Sequence, residues 1–201
     1  MNSTIIQSQC IGKVELYHES IDAEIKQLPN NLWTEHVNRS NYEGMWSVLA
    51  LRTLKVNELS HPILQCYQIE QGNEWVDLPI VNTATSIYRL INAIPFAKKS
   101  IRLMKLEAGA RIKEHRDLGL NIENGEGRFH IPLQSSEQVH FTSNGEVLHM
   151  HIGELWYINA DAPHSVRNMG MKPRINLVID CSLSQEEWHR FIHKGTDNEK
   201  S

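Results

Sequence analysis

The chain has 201 residues, of which 40% are hydrophobic and 22% charged, and its formal net charge is −4. This composition excludes fibrous and disordered proteins, and the length allows one sizeable core. The slight negative charge and the lack of a basic block predict that the protein has no nucleic-acid partner.

The first hundred residues are predicted to mix helices and strands. Hydrophobic periodicity indicates a short strand, a helix and a buried strand at Gly12–His18, Asp22–Gln27 and Met45–Leu54. Further along, Asn82 and Thr83 are predicted to cap a helix that Pro95 ends. One face of that helix carries Ile87, Leu90, Ile91 and Ile94.

The second half is predicted to be almost entirely β. Apolar and polar residues alternate in short segments at Ile101–Ile112, Arg128–Leu133, Val139–Thr142, Val147–Ile152, Glu154–Asn159, Ser165–Asn168 and Arg174–Asp180. Many short strands at this spacing favour a sandwich or barrel over a parallel α/β sheet. Ser184 and Glu187 then form a capping box for a final helix. We therefore predict a mainly β barrel with flanking helices.

One motif suggests a metal site. His115 and Asp117 are two residues apart, so in an extended segment their side chains point to the same side. With His164 from another strand, they would give two imidazoles and one carboxylate, the ligand set of non-haem iron(II) with open positions for a co-substrate and O₂. An isolated dyad of this kind is more often a solvated, charged loop, so its context matters.

The glycine spacing supplies that context. Gly109 precedes His115 by six residues, and Gly153 begins a stretch of the form G-x5-N-x-D-x2-H-x3-N that contains His164. This is similar to the two-part cupin pattern. Asn159 and Asp161 replace the proline and glycine that are usual in its second half, and we expect these residues to tolerate left-handed turn geometry.

Arg174 is a candidate anion anchor. It would share one strand face with Asn176, opposite an apolar face. An arginine inside a small barrel is costly without an anion, and a dicarboxylate would supply one. A surface arginine at a strand end is an equally good interpretation of this residue alone.

Arg128 and His130 also share a strand face, opposite Phe129, Ile131 and Leu133. If the apolar face packs beneath the helices, the polar pair lies inside the barrel and Arg128 can hold a second carboxylate. The alternative is a solvent-facing pair on an ordinary two-faced strand.

A rival metal site is possible at His149 and His151, which would lie two residues apart on a predicted strand. They could contribute to a three-histidine site in place of the first dyad. They lack both the preceding glycine spacing and a carboxylate, so we rank them lower.

Residues Ile101–Cys181 resemble the aspartyl/asparaginyl β-hydroxylase family of 2-oxoglutarate oxygenases, which includes bacterial proline hydroxylases. The resemblance rests on the Arg174 strand and on three sequence motifs in the same order: HRD, RFHIPL and GELWYINADAPHSVRN. It implies a double-stranded β-helix (cupin or jelly-roll) core, iron(II) held by His115, Asp117 and His164, and Arg174 on the distal carboxylate of 2-oxoglutarate. Arg128 and His130 would line the co-substrate and substrate pocket. The endoplasmic-reticulum peptide hydroxylases of this family lack the carboxylate ligand, so Asp117 makes the chain more similar to the bacterial branch.

The resemblance predicts a dioxygenase that uses iron(II), 2-oxoglutarate and O₂ to hydroxylate an amino acid or an amino-acid residue. The alternatives are a metal-dependent cupin enzyme that does not use 2-oxoglutarate and a non-catalytic cupin that binds a small acid. The substrate, the carbon attacked and the oligomeric state are left open.

We expect one domain over residues 1–201. A mixed part at 1–100 would pack on a metal-binding core at 101–181, followed by a C-terminal helix and tail at 182–201. The three cysteines are odd in number and far apart, and the N-terminus has no signal-like apolar segment. These features predict a cytoplasmic protein without disulfides or a membrane partner.

Overall fold

Alternating apolar residues build two antiparallel β-sheets that face each other. The computed structural model describes residues 5–67 and 72–197. Its strands are β1 (Gln9–Lys13), β2 (Thr34–Glu35), β3 (Tyr42–Glu43), β4 (Trp46–Leu54), β5 (Trp75–Asp77), β6 (Ala97–Leu106), β7 (Arg111–His115), β8 (Glu126–Gln134), β9 (Val139–Ser143), β10 (Glu146–Leu148), β11 (Glu154–Ile158), β12 (His164–Asn168) and β13 (Arg174–Ser182). The helices are α1 (His18–Gln27), α2 (Pro62–Cys66), α3 (Thr85–Asn92) and α4 (Gln185–Asp197).

The larger sheet has the strand order β1-β11-β8-β13-β6-β4-β2, and β5 pairs with β4 outside that path. The smaller sheet has the order β10-β9-β12-β7-β3. Strands that are distant in sequence therefore lie side by side, as they do in jelly-roll architectures. The predicted fold class, a mainly β double-stranded β-helix with flanking helices, is confirmed.

The two faces of β8 show how the alternation positions the interior. Phe129, Ile131 and Leu133 are fully buried in the main core. That core also contains Ile87 and Leu90 of α3 and Trp188 of α4, so the helices cover this face of the larger sheet. Arg128 and His130 point the other way, into the space between the sheets. The predicted assignment of the two faces is thus confirmed.

The start of α3 differs from the prediction. Pro79–Thr83 forms a 3₁₀ turn, and Ala84 precedes the helix without a capping side chain. The cap comes instead from α1, where the Glu24 carboxylate accepts the backbone N–H of Ser86 at 2.7 Å and that of Ile87 at 3.1 Å. The prediction that Asn82 and Thr83 cap this helix is wrong, because a carboxylate from a distant helix satisfies the free N–H groups.

Two strand boundaries also differ. The segment predicted as one strand at Ile101–Ile112 is two strands, β6 and β7, joined by a turn in which Gly109 has a φ of +76°. Only glycine takes that conformation without strain, so the motif glycine reverses the chain there. The first strand lies at Gln9–Lys13 rather than at Gly12–His18, and pairs with β11.

Most strands in the first half of the chain belong to the larger sheet. Strand β4 lies between β6 and β2, and its central residues Val48, Leu49 and Leu51 are fully buried. At the other end of the chain, Ser184 and Glu187 form the predicted capping box, since Ser184 Oγ accepts the Glu187 N–H at 3.2 Å. Residues 198–201 of the predicted tail lie outside the described residues. No helix in the described ranges has the length and apolar character needed to span a membrane.

Candidate metal centre and its cavity

Two histidines and one carboxylate meet where β7 and β12 run side by side. His115 ends β7, His164 begins β12, and the register pairs their Cα atoms. Asp117 follows in the next loop, where its backbone N–H donates to the carbonyl of Ala160 at 2.8 Å. One potential ligand atom from each of the three side chains lies within 4.8 Å of the other two. The structure thus brings together the predicted triad, whose role as metal ligand stays a prediction.

Main-chain carbonyls orient both imidazoles. Nδ1 of His115 lies 2.8 Å from the carbonyl oxygen of Lys113, and Nδ1 of His164 lies 3.0 Å from that of Ala162. A carbonyl can only accept, so each Nδ1 carries a proton, and a neutral ring held in this way keeps its Nε2 lone pair free. Burial lowers the pKa of His164 to about 4, so its ring is neutral near pH 7. A neutral ring held through its other nitrogen is the usual form of a metal-binding histidine.

A chain of ion pairs extends from Asp117 along the larger sheet. Arg128 donates from Nη1 to Asp117 Oδ2 and from Nε to Asp180 Oδ1, the latter at 2.7 Å. The other Asp180 oxygen accepts from Arg102 Nη2 at 2.9 Å. Burial alone would raise the pKa of both carboxyl groups, but the neighbouring guanidinium groups outweigh it and lower both pKa values. Because Arg128 already holds two carboxylates of the chain, its contact with a co-substrate stays a prediction.

The turn that delivers His164 is built by side-chain hydrogen bonds. Asn159 Oδ1 accepts the Ala162 N–H at 3.2 Å, and Asn159 Nδ2 donates to the carbonyl of Ile6 at 3.0 Å. Neither Asn159 nor Asp161 has a positive φ. The turn therefore does not use the left-handed geometry that these two residues tolerate, because the Asn159 side chain closes it.

Asp161 links this turn to the loop that carries Asp117. Its carboxylate accepts from Arg116 Nη2 at 2.9 Å and from Asn121 Nδ2 at 2.8 Å. Arg116 thus connects the two chain segments that supply the triad.

A cavity of about 500 Å³ lies between the sheets and is lined by all three triad residues. Arg174 lines it too, with its Cζ 5.8 Å from the centre of the Phe141 ring. Its Nη2 is buried and has no hydrogen-bond partner among the described residues. Burial lowers the pKa of Arg174 to about 10, which still leaves the guanidinium charged near pH 7. A buried cation with an open donor beside a cavity is suited to an anionic ligand.

His130 lines the same cavity, with its ring edge-on to Phe141 at a centroid distance of 5.7 Å. Asn176 Nδ2 lies 2.9 Å from His130 Nδ1, whereas His130 Nε2 has no partner among the described residues. Burial, followed by the positive charges of Arg174 and Arg128, holds the pKa of His130 well below its usual value. Asn176 was not among the predicted site residues, since an asparagine between buried strand positions carries no motif.

The first half of the chain supplies another wall of the cavity, lined by His36, Trp46 and Tyr67. The ring of His36 stacks on Trp46 with centroids 3.6 Å apart, and Tyr67 meets it edge-on at 5.1 Å. Burial and then the Arg102 guanidinium lower the pKa of His36 to about 4. His36 and Tyr67 were missed, because isolated aromatic residues in a sequence look the same in a core as in a cavity wall.

The rival dyad of His149 and His151 does not line the cavity that contains the triad. Strand β10 ends at Leu148, so His149 and His151 lie in the loop before β11, and the prediction that they are on a strand is wrong. The chain must leave the short β9–β10 hairpin there to cross to the other sheet. His151 Nδ1 instead contacts Glu154 Oε1 at 3.1 Å. Within the described ranges, the metal-binding geometry is met by the His115, Asp117 and His164 group.

Comparisons with known proteins agree with this architecture. A family model described as Aspartyl/Asparaginyl beta-hydroxylase matches residues 15–183. The L-proline cis-4-hydroxylase of Rhizobium meliloti (strain 1021) is 27% identical over 103 residues, which is 51% of this chain and 35% of that protein. The matched region thus spans about a third of the length of this curated relative.

Two solved structures share the fold. An oxidoreductase of the 2OG-Fe(II) oxygenase family from Burkholderia pseudomallei is 14% identical, with a TM-score of 0.52 over 83% of this chain and 81% of that chain. AviO1 from Streptomyces viridochromogenes Tue57 is 12% identical, with a TM-score of 0.52 over 89% of this chain and 90% of that chain. At such low identities, the likeness concerns the fold alone.

Proposed function

Because the chain belongs to the aspartyl/asparaginyl β-hydroxylase family, we propose that it is an iron(II)- and 2-oxoglutarate-dependent oxygenase that hydroxylates an amino acid or an amino-acid residue. The observation that carries the proposal is the buried Arg174 guanidinium, which lines the same cavity as His115, Asp117 and His164. An anion anchor beside a two-histidine, one-carboxylate cluster is the combination that a chelating dicarboxylate and a metal require.

The donor set fits iron(II). Two imidazoles with free Nε2 lone pairs and one carboxylate suit one face of an octahedral ion and leave positions for small ligands. Within this site, His115, Asp117 and His164 would hold the metal. Lys113 and Ala162 would fix the histidine tautomers through their carbonyls.

The co-substrate side of the cavity is cationic and polar. Arg174 would bind the distal carboxylate of 2-oxoglutarate as a fork, and His130 would contact the same ligand. Phe141 stacks on His164 with centroids 6.2 Å apart and would wall this region against water. When bound, the iron and 2-oxoglutarate would supply the oxidising chemistry with O₂, while the protein binds, orients and shields the reactants.

The wall built by His36, Trp46 and Tyr67 would face the substrate, and Arg102 lines the same cavity. By its name, the Rhizobium relative acts on L-proline, which supports a small amino acid as one candidate. Because this wall comes from the first half of the chain, we further propose that residues 1–201 form one oxygenase domain. The position of β4 within the larger sheet supports a single domain.

The test is a turnover assay on the whole chain. Protein loaded with iron(II) without oxygen is exposed to air with 2-oxoglutarate and a panel of free amino acids and peptides. Succinate formation and a product heavier by one oxygen atom are then measured. We expect one class of amino-acid substrate to stimulate both. The proposal fails if iron is bound but no member of the panel stimulates succinate formation.

The same assay separates the alternatives. A cupin enzyme that does not use 2-oxoglutarate would form no succinate and would not depend on Arg174. A non-catalytic binding cupin would bind a small acid without consuming oxygen, and Asp117→Ala would change that binding little.

A further inference from the structure

The amide of Asn176 hydrogen-bonds to Nδ1 of His130, a residue that lines the ligand cavity, and the other ring nitrogen, Nε2, has no partner among the described residues. The two side chains are diagonal neighbours on the inner face of the larger sheet, since β13 pairs Val178 with His130 and Asn176 with Pro132. Both are buried, and Asn176 is fully so. Neither side chain can exchange this partner for bulk water.

The geometry determines which nitrogen of His130 carries the proton. Asn176 Nδ2 lies 2.9 Å from His130 Nδ1. With the amide in this orientation its NH₂ group donates, so Nδ1 offers its lone pair and the neutral ring is protonated at Nε2. That Nε2 is buried and has no partner among the described residues.

A bound acid would favour this arrangement over the one in which the Asn176 amide is rotated, so that its oxygen faces Nδ1 and Nε2 of His130 carries the lone pair. In the turned arrangement, Nε2 would present a lone pair to the cavity. The cavity there is lined by Arg174, whose own Nη2 is buried without a partner among the described residues. A ligand that satisfies this cation brings acceptor oxygens, which a lone pair repels and an N–H group attracts.

We propose that Asn176 is a positioning residue that holds His130 in the Nε2–H form, with that N–H group aimed at an acceptor oxygen of the bound 2-oxoglutarate. The inference rests on the proposed function for its ligand. The ring has little freedom to turn, because Phe141 packs against it edge-on at 86°. Asn176 acts only through His130 and need not touch the co-substrate.

The first test is spectroscopic and needs no turnover. The protein is labelled with ¹⁵N-histidine, and the ring signals are compared with those of His130→Phe to assign residue 130. We expect His130 in the ligand-free wild type to be wholly Nε2–H. A ring protonated at Nδ1 instead would overturn the proposal, even if every Asn176 variant failed to fold.

The second test is a double-mutant cycle on 2-oxoglutarate binding, measured by calorimetry with Zn(II) in place of iron. We expect Asn176→Leu to weaken binding about fivefold or more, the effect of losing one well-aligned hydrogen bond. In the His130→Phe background, the same substitution should have no further effect. Asn30→Leu and His140→Phe, both at exposed positions, serve as matched controls.

The outcomes separate the two proposals. The positioning role is wrong if the Asn176→Leu variant binds 2-oxoglutarate as tightly as the wild type does. It is also wrong if the substitution weakens binding equally in the wild type and in the His130→Phe background. In both cases the proposed function stands. If the Zn(II)-loaded wild type binds no 2-oxoglutarate, the proposed function fails, and the positioning role fails with it.

Discussion

Arg128 and Asp180 face each other across β8 and β13, where the register pairs their Cα atoms and two hydrogen bonds join their side chains at 2.7 and 3.1 Å. Asp180 also accepts from Arg102, so one buried carboxylate balances two buried guanidinium groups. Through Arg128, this arrangement reaches Asp117 of the triad. Asp180 therefore supports the candidate metal centre without lying next to it.

Asp180→Asn should destabilise the protein by about 3 to 5 kcal/mol, because two buried cations lose their shared counter-charge. Urea denaturation measures the change in the free energy of unfolding. The matched control is Asp77→Asn, which breaks a more exposed pair with Arg52 and should cost less than about 1 kcal/mol. Equal effects of the two substitutions would contradict the structural role of Asp180.

Arg174→Met should have opposite effects on stability and binding. It removes a buried charge, so the ligand-free protein should gain about 1 to 2 kcal/mol in the free energy of unfolding. Its affinity for 2-oxoglutarate should fall at least about tenfold, since the anion anchor is lost. Thermal denaturation and calorimetry measure the two changes. Weakened stability with unchanged affinity would indicate a structural arginine instead.

Asp117→Ala should lower the affinity for iron(II) by more than about 100-fold, a larger loss than is usual for residues that only support ligands. Competition with a chromophoric chelator measures this affinity. His149→Ala, which changes the rival dyad, should leave metal binding unaltered. If His149→Ala lowered the affinity for iron(II) and Asp117→Ala did not, the metal site would lie in the loop before β11 instead.

Acid should destabilise the protein as the pH falls from about 6.5, the ordinary pKa of histidine, to about 4, the pKa of folded His36. Acid lowers the free energy of unfolding because the lowered pKa in the folded state means that the unfolded chain binds more protons in this pH range. The free energy of unfolding should therefore fall less steeply with acid in His36→Phe than in the wild type. Urea denaturation from pH 4 to pH 7 compares the two slopes, and identical slopes would show that His36 is not buried as a neutral ring.

Local patterns along the chain were enough to predict much of the fold. Alternation placed Arg128 and His130 on the face of β8 opposite Phe129, because successive side chains of a strand point to opposite sides. The capping box of Ser184 and Glu187 was equally predictable from the sequence, since both residues act within one helical turn. The His115 and Asp117 spacing identified side chains that the structure brings together with His164.

Two departures from the predictions arose where a distant segment supplied the partner. The cap of α3 comes from Glu24, 62 residues before Ser86. The turn before His164 depends on Asn159 and on the carbonyl of Ile6, 153 residues away. Neither partner has a local sequence signature, because the hydrogen-bonding capacity of a residue does not reveal which distant segment will lie next to it in the fold.

The sequence by itself determined which side chains share a strand face and where candidate metal ligands occur, because side-chain direction along a strand depends only on local backbone geometry. Only the tertiary structure decided that Arg128 pairs with Asp180, that Asn176 contacts His130, and that His36 joins the cavity wall. Those contacts depend on the order of strands in the sheets. Packing of the whole core sets that order, and the sequence of a single strand does not predict it.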